Sequence, residues 1–225
     1  MHVSRRSMGR LRRAGGVVLL VVGVLILAEA VVTLVWQEPL GAWSARNDQK
    51  ELSAELRKAE TKALAQPTGF AARNASDRTA AVARRYRQSE KPGQALGRIE
   101  LPAIDKKFVF VAGVSSRELK KGPGHYPTTA LPGEHGTVGI AGHRTTYLAP
   151  FRNIDRLTPG DRIVIRMPYG RFAYRVEGKR VVSPSNTGSL RRVRHDRLAL
   201  TTCHPPFSAA ERLVVTAALR SSKLR

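Results

Sequence analysis

The second half of this 225-residue chain predicts an all-β domain, a barrel or sandwich of seven or eight short strands. Three observations carry that expectation. From Leu96 onward apolar residues come in short alternating or continuous runs, turn signals rich in Gly, Pro, Asn and Asp separate them, and hardly any stretch suits a long helix. A hydrophobic content of 42% is enough for a core of ordinary size. The sequence carries no internal repeat.

Taken in order, the chain begins with Arg5, Arg6, Arg10, Arg12 and Arg13, then runs from Gly15 to Trp36 with Glu29 as its one charged residue. About 20 apolar residues suffice to cross a bilayer as a helix, and arginines on the short flank hold that flank in the cytoplasm. The expected layout is a basic cytoplasmic tail over 1–14, a single-pass helix over 15–36 and an exported remainder. Trp36 and Trp43 suit the outer interface, whereas Glu29 is costly near mid-membrane if ionised. Ala28-Glu29-Ala30 after an apolar core also fits a cleaved signal peptide, although the run continues through Val35, and that length favours an anchor. Either way the rest of the chain is exported.

Residues 37–93 read as a tether. Asn47 or Asp48 can cap a helix through Leu52 and Leu56 towards Leu64, Pro67-Thr68-Gly69 ends it, and 70–93 is extended or partly helical. The basic residues Arg84, Arg85 and Arg87 either meet anionic envelope polymer or form a solvated face.

Residues 94–225 form the expected domain. Strands are predicted at 97–102 and 108–114, the second a nearly continuous apolar run. Ser115 or Ser116 caps one or two helical turns with Glu118 in the first turn, and 122–127 is a loop. Thr137 to Gly142 is a strand ending at His143, and Leu148 to Leu157 reads as a short helix. A hairpin follows, 162–167 and 171–176 around Pro168-Tyr169-Gly170, with Val181-Val182 continuing the sheet. Strands over 197–202 and 212–219 complete it.

The chemistry gathers in the last two strands. Cys203, the single cysteine, closes a strand before His204-Pro205-Pro206, and Arg212 opens the next one nine residues later. In an exported protein a lone cysteine is an intermolecular disulfide, an accident or a reactive thiol. A thiol beside a fixed cation can be activated or can have its oxyanion held, and His143 is the candidate base and acid. Six histidines raise a metal reading through His125, His135, His143, Cys203 and His204, but C-x-x-C and H-E-x-x-H are absent. Cys203 and His204, adjacent on an extended segment, also point to opposite faces. No metal and no cofactor are expected. The net charge of +22 allows nucleic acid, an anionic envelope or plain solvation, and export argues against nucleic acid as a partner.

The segment L-T-T-C-H-P-P-F-S-A-A-E-R-L-V-V resembles the T-L-x-T-C…R signature of sortases. Together with A-G-H-R-T-T-Y-L-A-P-F and G-P-G-H-Y-P it is most similar to class E sortases, over roughly Leu96 to Leu219. Ala199 stands where the signature usually has Thr, which touches only a peripheral substrate contact. The resemblance implies an eight-stranded sortase-type β-barrel with short helices and cysteine transpeptidation at a Leu-Ala-X-Thr-Gly signal. Cys203 would be the nucleophile, His143 the acid and base, and Arg212 the oxyanion and substrate holder. Tyr126 would help select Ala in the signal, and Thr201, Thr202, His125 and His204 would be further substrate contacts. The implied partners are secreted proteins bearing a C-terminal sorting signal and an amino group of a peptidoglycan precursor or a pilin. Two other function classes remain open at this level: a sortase-like barrel that only binds or hydrolyses its peptide, and a basic envelope-binding scaffold.

Overall fold

The computed structural model describes residues 5–35, 39–65 and 74–225. The chain divides into one compact unit ending at Pro39 and a second beginning at Leu40. In the first, helix α1 (Arg5–Val35) starts ten residues before the apolar run, so the whole arginine cluster is helical too. Gly15–Val32 is long and apolar enough to cross a membrane, and none of it is buried within the protein. Trp36 and the break at Pro67-Thr68-Gly69 lie outside the described residues.

The second unit is a closed barrel. Its strands are β1 (Ala95–Leu101), β2 (Lys106–Ala112), β3 (Gly124–His125), β4 (Thr137–Ala141), β5 (Arg162–Met167), β6 (Gly170–Val182), β7 (Arg197–His204) and β8 (Glu211–Leu224). Around the barrel the order is β1-β2-β3-β4-β7-β8-β6-β5, and β5 pairs back onto β1. Closure leaves no sheet edge to template aggregation. The β2/β3 and β4/β7 pairings are parallel and the others antiparallel. Alternating side chains such as Ile99, Phe110, Ile140, Phe172, Leu200 and Val215 fill the interior.

Helix α2 (Pro39–Leu64) and helix α3 (Ala75–Arg87) precede the barrel. The stretch expected to be a spacer is, where described, packed against the strands. Leu52 and Leu56 of α2 are buried with Ala95, Val109 and Val111. Gln49 accepts from the Val109 N–H (2.8 Å) and donates to the carbonyls of Val109 (2.9 Å) and Lys121 (2.8 Å). The thin apolar face of α2 is therefore supplemented by a side chain that satisfies backbone groups of β2. This cover also explains why β2 is apolar on successive residues: Phe110 faces the core while Val109 and Val111 face α2. Asn74 caps α3 by accepting from the Asp77 N–H (2.8 Å). Ala83 reaches the core, Tyr86 donates to the Leu96 carbonyl (3.3 Å), and Arg87 is ion-paired with Glu134 (2.8 Å) rather than exposed for a polymer.

Helix α4 (Ser116–Lys121) forms as expected, with a capping box in which Ser115 Oγ accepts from Arg117 N–H (3.3 Å) and Glu118 accepts from Ser115 N–H (3.0 Å). The helix expected over 148–157 is absent. That segment holds one 3-10 turn, Ile154–Arg156, preceded by Tyr147, Leu148 and Ala149 at φ 49°, 67° and 41°. Ala149, Phe151, Ile154 and Leu157 are all buried, so their helix-like spacing reflects burial of an irregular chain, and Pro150 disfavours the α conformation of the residue before it. Leu56→Ala should lower stability by about 2–5 kcal/mol in urea unfolding, because its side chain is fully buried; a change below about 0.5 kcal/mol would return α2 to the role of a spacer.

Candidate active site at the ends of β4 and β7

Three adjoining strands build the site. β7 and β8 are antiparallel with Cys203 directly opposite Arg212, joined by the loop 205–210. β4 and β7 are parallel with Ala141 level with Thr201. The pairing is extended by the Gly142 N–H to the Thr201 carbonyl (3.0 Å) and by the Thr202 hydroxyl, which donates to the Gly142 carbonyl (2.7 Å). Two residues further along each chain stand His143 and Cys203. Since Leu198, Leu200, Leu213 and Val215 face the core, Cys203 and Arg212, of opposite parity, face outward.

Cys203 is a half-buried free thiol. Arg212 donates through Nη1 to the carbonyls of Ala209 (2.9 Å) and Glu211 (3.0 Å), which leaves Nε and Nη2 for other acceptors among the described residues. The His143 ring lies against Tyr147, centroids 5.1 Å apart, and the Lys120 ammonium sits 5.8 Å from the Tyr147 centroid. Gly142 permits this close arrangement: a Cβ there would stand 2.6 Å from the Phe151 ring.

The expected substrate contacts separate into two groups. The Tyr126 hydroxyl is 2.9 Å from the Thr201 hydroxyl, on the outward face that carries Cys203. His125 and Thr202 do not face that surface. His125 is level with Ile140 and Ala112, both core residues, so strand alternation turns it inward. It is fully buried, and its Nε2 lies 2.9 Å from the Ala130 carbonyl and 3.2 Å from the Thr129 hydroxyl. Burial holds its pKa at about 4, so the ring is neutral. Thr202, also on the core side, supports the main chain before His143.

His204 is held by a residue that sequence reasoning passed over. Arg144, 5% exposed, donates through Nη1 to the His204 Nδ1 (2.8 Å) and to the Cys203 carbonyl (3.3 Å), and pairs through Nη2 with Asp155 (3.2 Å). Because a guanidinium only donates, His204 carries its proton on Nε2. Arg144 thus ties the residue after His143 to the main chain of Cys203. A signal was available: next to an outward-facing histidine, position 144 points inward, and an arginine in that place needs partners. Among the described residues no three His, Cys, Asp or Glu side chains gather as a metal site would require.

Fold and site together define a closed β-barrel protein whose thiol, imidazole and guanidinium stand at the ends of adjoining strands. The chain belongs to the sortase family, since the sortase domain profile matches residues 99–220. It is 36% identical to SrtE1 of Streptomyces coelicolor over 143 residues (56% of this chain, 41% of that protein). It is also 36% identical to sortase D of Bacillus subtilis over 115 residues (50% and 56%). The chain thus spans about half the length of the curated relatives it matches. Among solved structures it is similar to S. coelicolor sortase E1 with a tripeptide in the active site, with TM-score 0.57, 32% identity, and coverage of 61% of this chain and 94% of that one. The two Streptomyces coelicolor matches support a class E sortase.

Arg144→Gln should lower stability by about 1–3 kcal/mol in urea unfolding, since a charged, hydrogen-bonded buried group is lost while His204 and Asp155 lose its donors; an unchanged midpoint would show that the clamp carries no stability. A second prediction concerns pH. Above about 6.5 the folded and unfolded chains both keep His125 neutral; below it the unfolded chain gains a proton that the folded chain refuses until about 4. Stability should therefore be full above pH 6.5 and fall as pH is lowered through this window. His125→Gln should flatten the difference between pH 7.5 and pH 5 by on the order of 2 kcal/mol, and parallel pH profiles for the two proteins would refute the assignment.

Proposed function

We propose that this protein is a membrane-anchored class E sortase acting outside the cell, which cleaves a Leu-Ala-X-Thr-Gly-type signal between Thr and Gly and joins the Thr carbonyl to an amine. The observation that carries the reading is the register of β4, β7 and β8, which pairs Cys203 with Arg212 and sets His143 at the neighbouring strand end. Cys203 gives its thiol proton to His143 and attacks the Thr carbonyl carbon, while Arg212, with a backbone N–H near His204, holds the developing oxyanion. The C–N bond then breaks, and the departing amine takes a proton from His143. In the second half His143 removes a proton from the incoming amine, which attacks the thioester and releases the thiol. Without a nearby guanidinium the tetrahedral oxyanion would lie on a half-buried surface with little solvation, and this gives Arg212 its role.

In this reading residues 1–14 are a cytoplasmic tail, 15–36 the single-pass anchor, 37–93 the connection and 94–225 the catalytic domain. The substrates are secreted proteins with a C-terminal sorting signal. The acceptor is an amino group of a peptidoglycan precursor or a pilin, and nucleic acid has no part. Positive charge on the amino-terminal side of α1 supports the orientation.

Cys203→Ala should abolish cleavage of a Leu-Ala-X-Thr-Gly peptide without loss of circular dichroism. His143→Ala and Arg212→Ala should each lower kcat/KM by about 10²–10³. Wild-type turnover in any of the three removes that residue from its role. Product carrying an added amine, rather than free acid alone, separates transpeptidation from hydrolysis.

A further inference from the structure

The outward face of β4 and β7 leads away from Cys203 towards a cavity that the reaction does not use. Tyr126, Thr129 and Leu190 cover this face midway: a Cβ on Gly139 would meet Leu190 at 2.8 Å, Tyr126 at 3.0 Å and Thr129 at 3.1 Å. Beyond them, at the opening of β4, lies a cavity of about 310 Å³ that shares Thr129 and Leu190 as wall residues. Its charged lining is Arg84, Arg87 and Arg192 with His135, against Glu134.

The charges there do not cancel. Arg87 is matched by Glu134 (2.8 Å), and His135 stands 3.3 Å from Asp196. Arg84, from α3, and Arg192, from the loop between β6 and β7, have no ion pair among the described residues. Arg84 and Arg192, from separate elements, thus line one concave space, and a planar fork of donors is matched to a carboxylate. The net charge of +22 attracts anions everywhere, but only a concave site with fixed donors selects a position along a peptide.

We propose that this cavity is a subsite for an acidic side chain of the substrate, one to three residues ahead of the Leu of its sorting signal. This rests on the transpeptidase reading. Thr137, which lines the cavity, precedes His143 by six residues, and at about 3.3 Å per residue the span is about 20 Å. With Thr of the signal at Cys203, an extended peptide covers that distance in about six residues, which ends about three residues before Leu. The upstream half is the one that follows this surface, because it must stay bound while the thioester waits for an amine, whereas the downstream half departs.

The test uses the full chain in detergent and peptides that carry Glu, Gln or Lys at each of the three positions before Leu-Ala-X-Thr-Gly. Glu should exceed Gln by about three- to tenfold in kcat/KM at one of these positions, with Lys lowest, and about 0.5 M salt should erase the difference. In Arg84→Glu/Arg192→Glu the order should invert in favour of Lys, while Arg57→Glu/Lys58→Glu, an equal change of surface charge on α2, should leave it intact. Equal values for all three residues at all positions, with cleavage preserved, overturn the subsite and leave the transpeptidase reading standing. Retention of the Glu preference in the double variant assigns it to overall charge and overturns the subsite as well. Inhibition by inorganic phosphate without any Glu preference makes the cavity a free-anion site and overturns the peptide assignment. Cleavage of no peptide at all defeats the transpeptidase reading, and the subsite falls with it.

Discussion

The register of three neighbouring strands is the constraint on which the rest of the molecule depends. β7 is antiparallel to β8 and parallel to β4, and both pairings must hold at once for Cys203, Arg212 and His143 to share one surface. A slip of one residue in either pairing would turn a whole set of side chains to the other face. The core prevents this, since Leu198, Leu200, Leu213 and Val215 would have to leave the interior. The barrel core and the site therefore rely on the same alternation, one parity packed and the other exposed to chemistry.

The parts that bear on this surface are reinforced from outside it. Arg144 fastens the main chain at Cys203 to the segment after β4, and Asp155 fastens Arg144 in turn. Tyr147, against the His143 ring, belongs to three successive non-glycine residues with left-handed backbone. Such backbone is held in place only where surrounding packing over-determines it, and Ala149, Phe151 and Ile154 provide that packing. The loop bearing the imidazole is thus anchored by burial on its far side and by a guanidinium on its near side.

Much of this was legible in the sequence, and the limits have physical causes. Local patterns read well: a helix cap at Ser115 or Ser116 with Glu118 in the first turn, the hairpin around Pro168-Tyr169, and the strand that carries the lone cysteine. The offset from Cys203 to Arg212 was interpretable because a short loop between antiparallel strands converts sequence distance into opposition. What failed depended on partners distant in sequence. The thin apolar face of α2 reads as a spacer, and the backbone of β2 that Gln49 satisfies cannot be seen locally. The inward turn of His125 is equally invisible locally, because it follows from pairing with both β2 and β4, segments far apart in the chain. The 148–157 stretch shows the converse error, with helical spacing produced by burial of an irregular loop.

The parallel β4/β7 pairing has a temporal consequence. The antiparallel hairpin β5–β6 closes through a two-residue turn, whereas β4 and β7 are separated by that entire hairpin and the loop after it. Contacts between remote segments form late and slowly, because loop-closure entropy precedes any gain from pairing. Until that seam zips, Cys203 has its strand neighbours but no imidazole level with it. The nascent chain therefore carries Cys203 apart from His143, and only completion of the fold brings the two segments level.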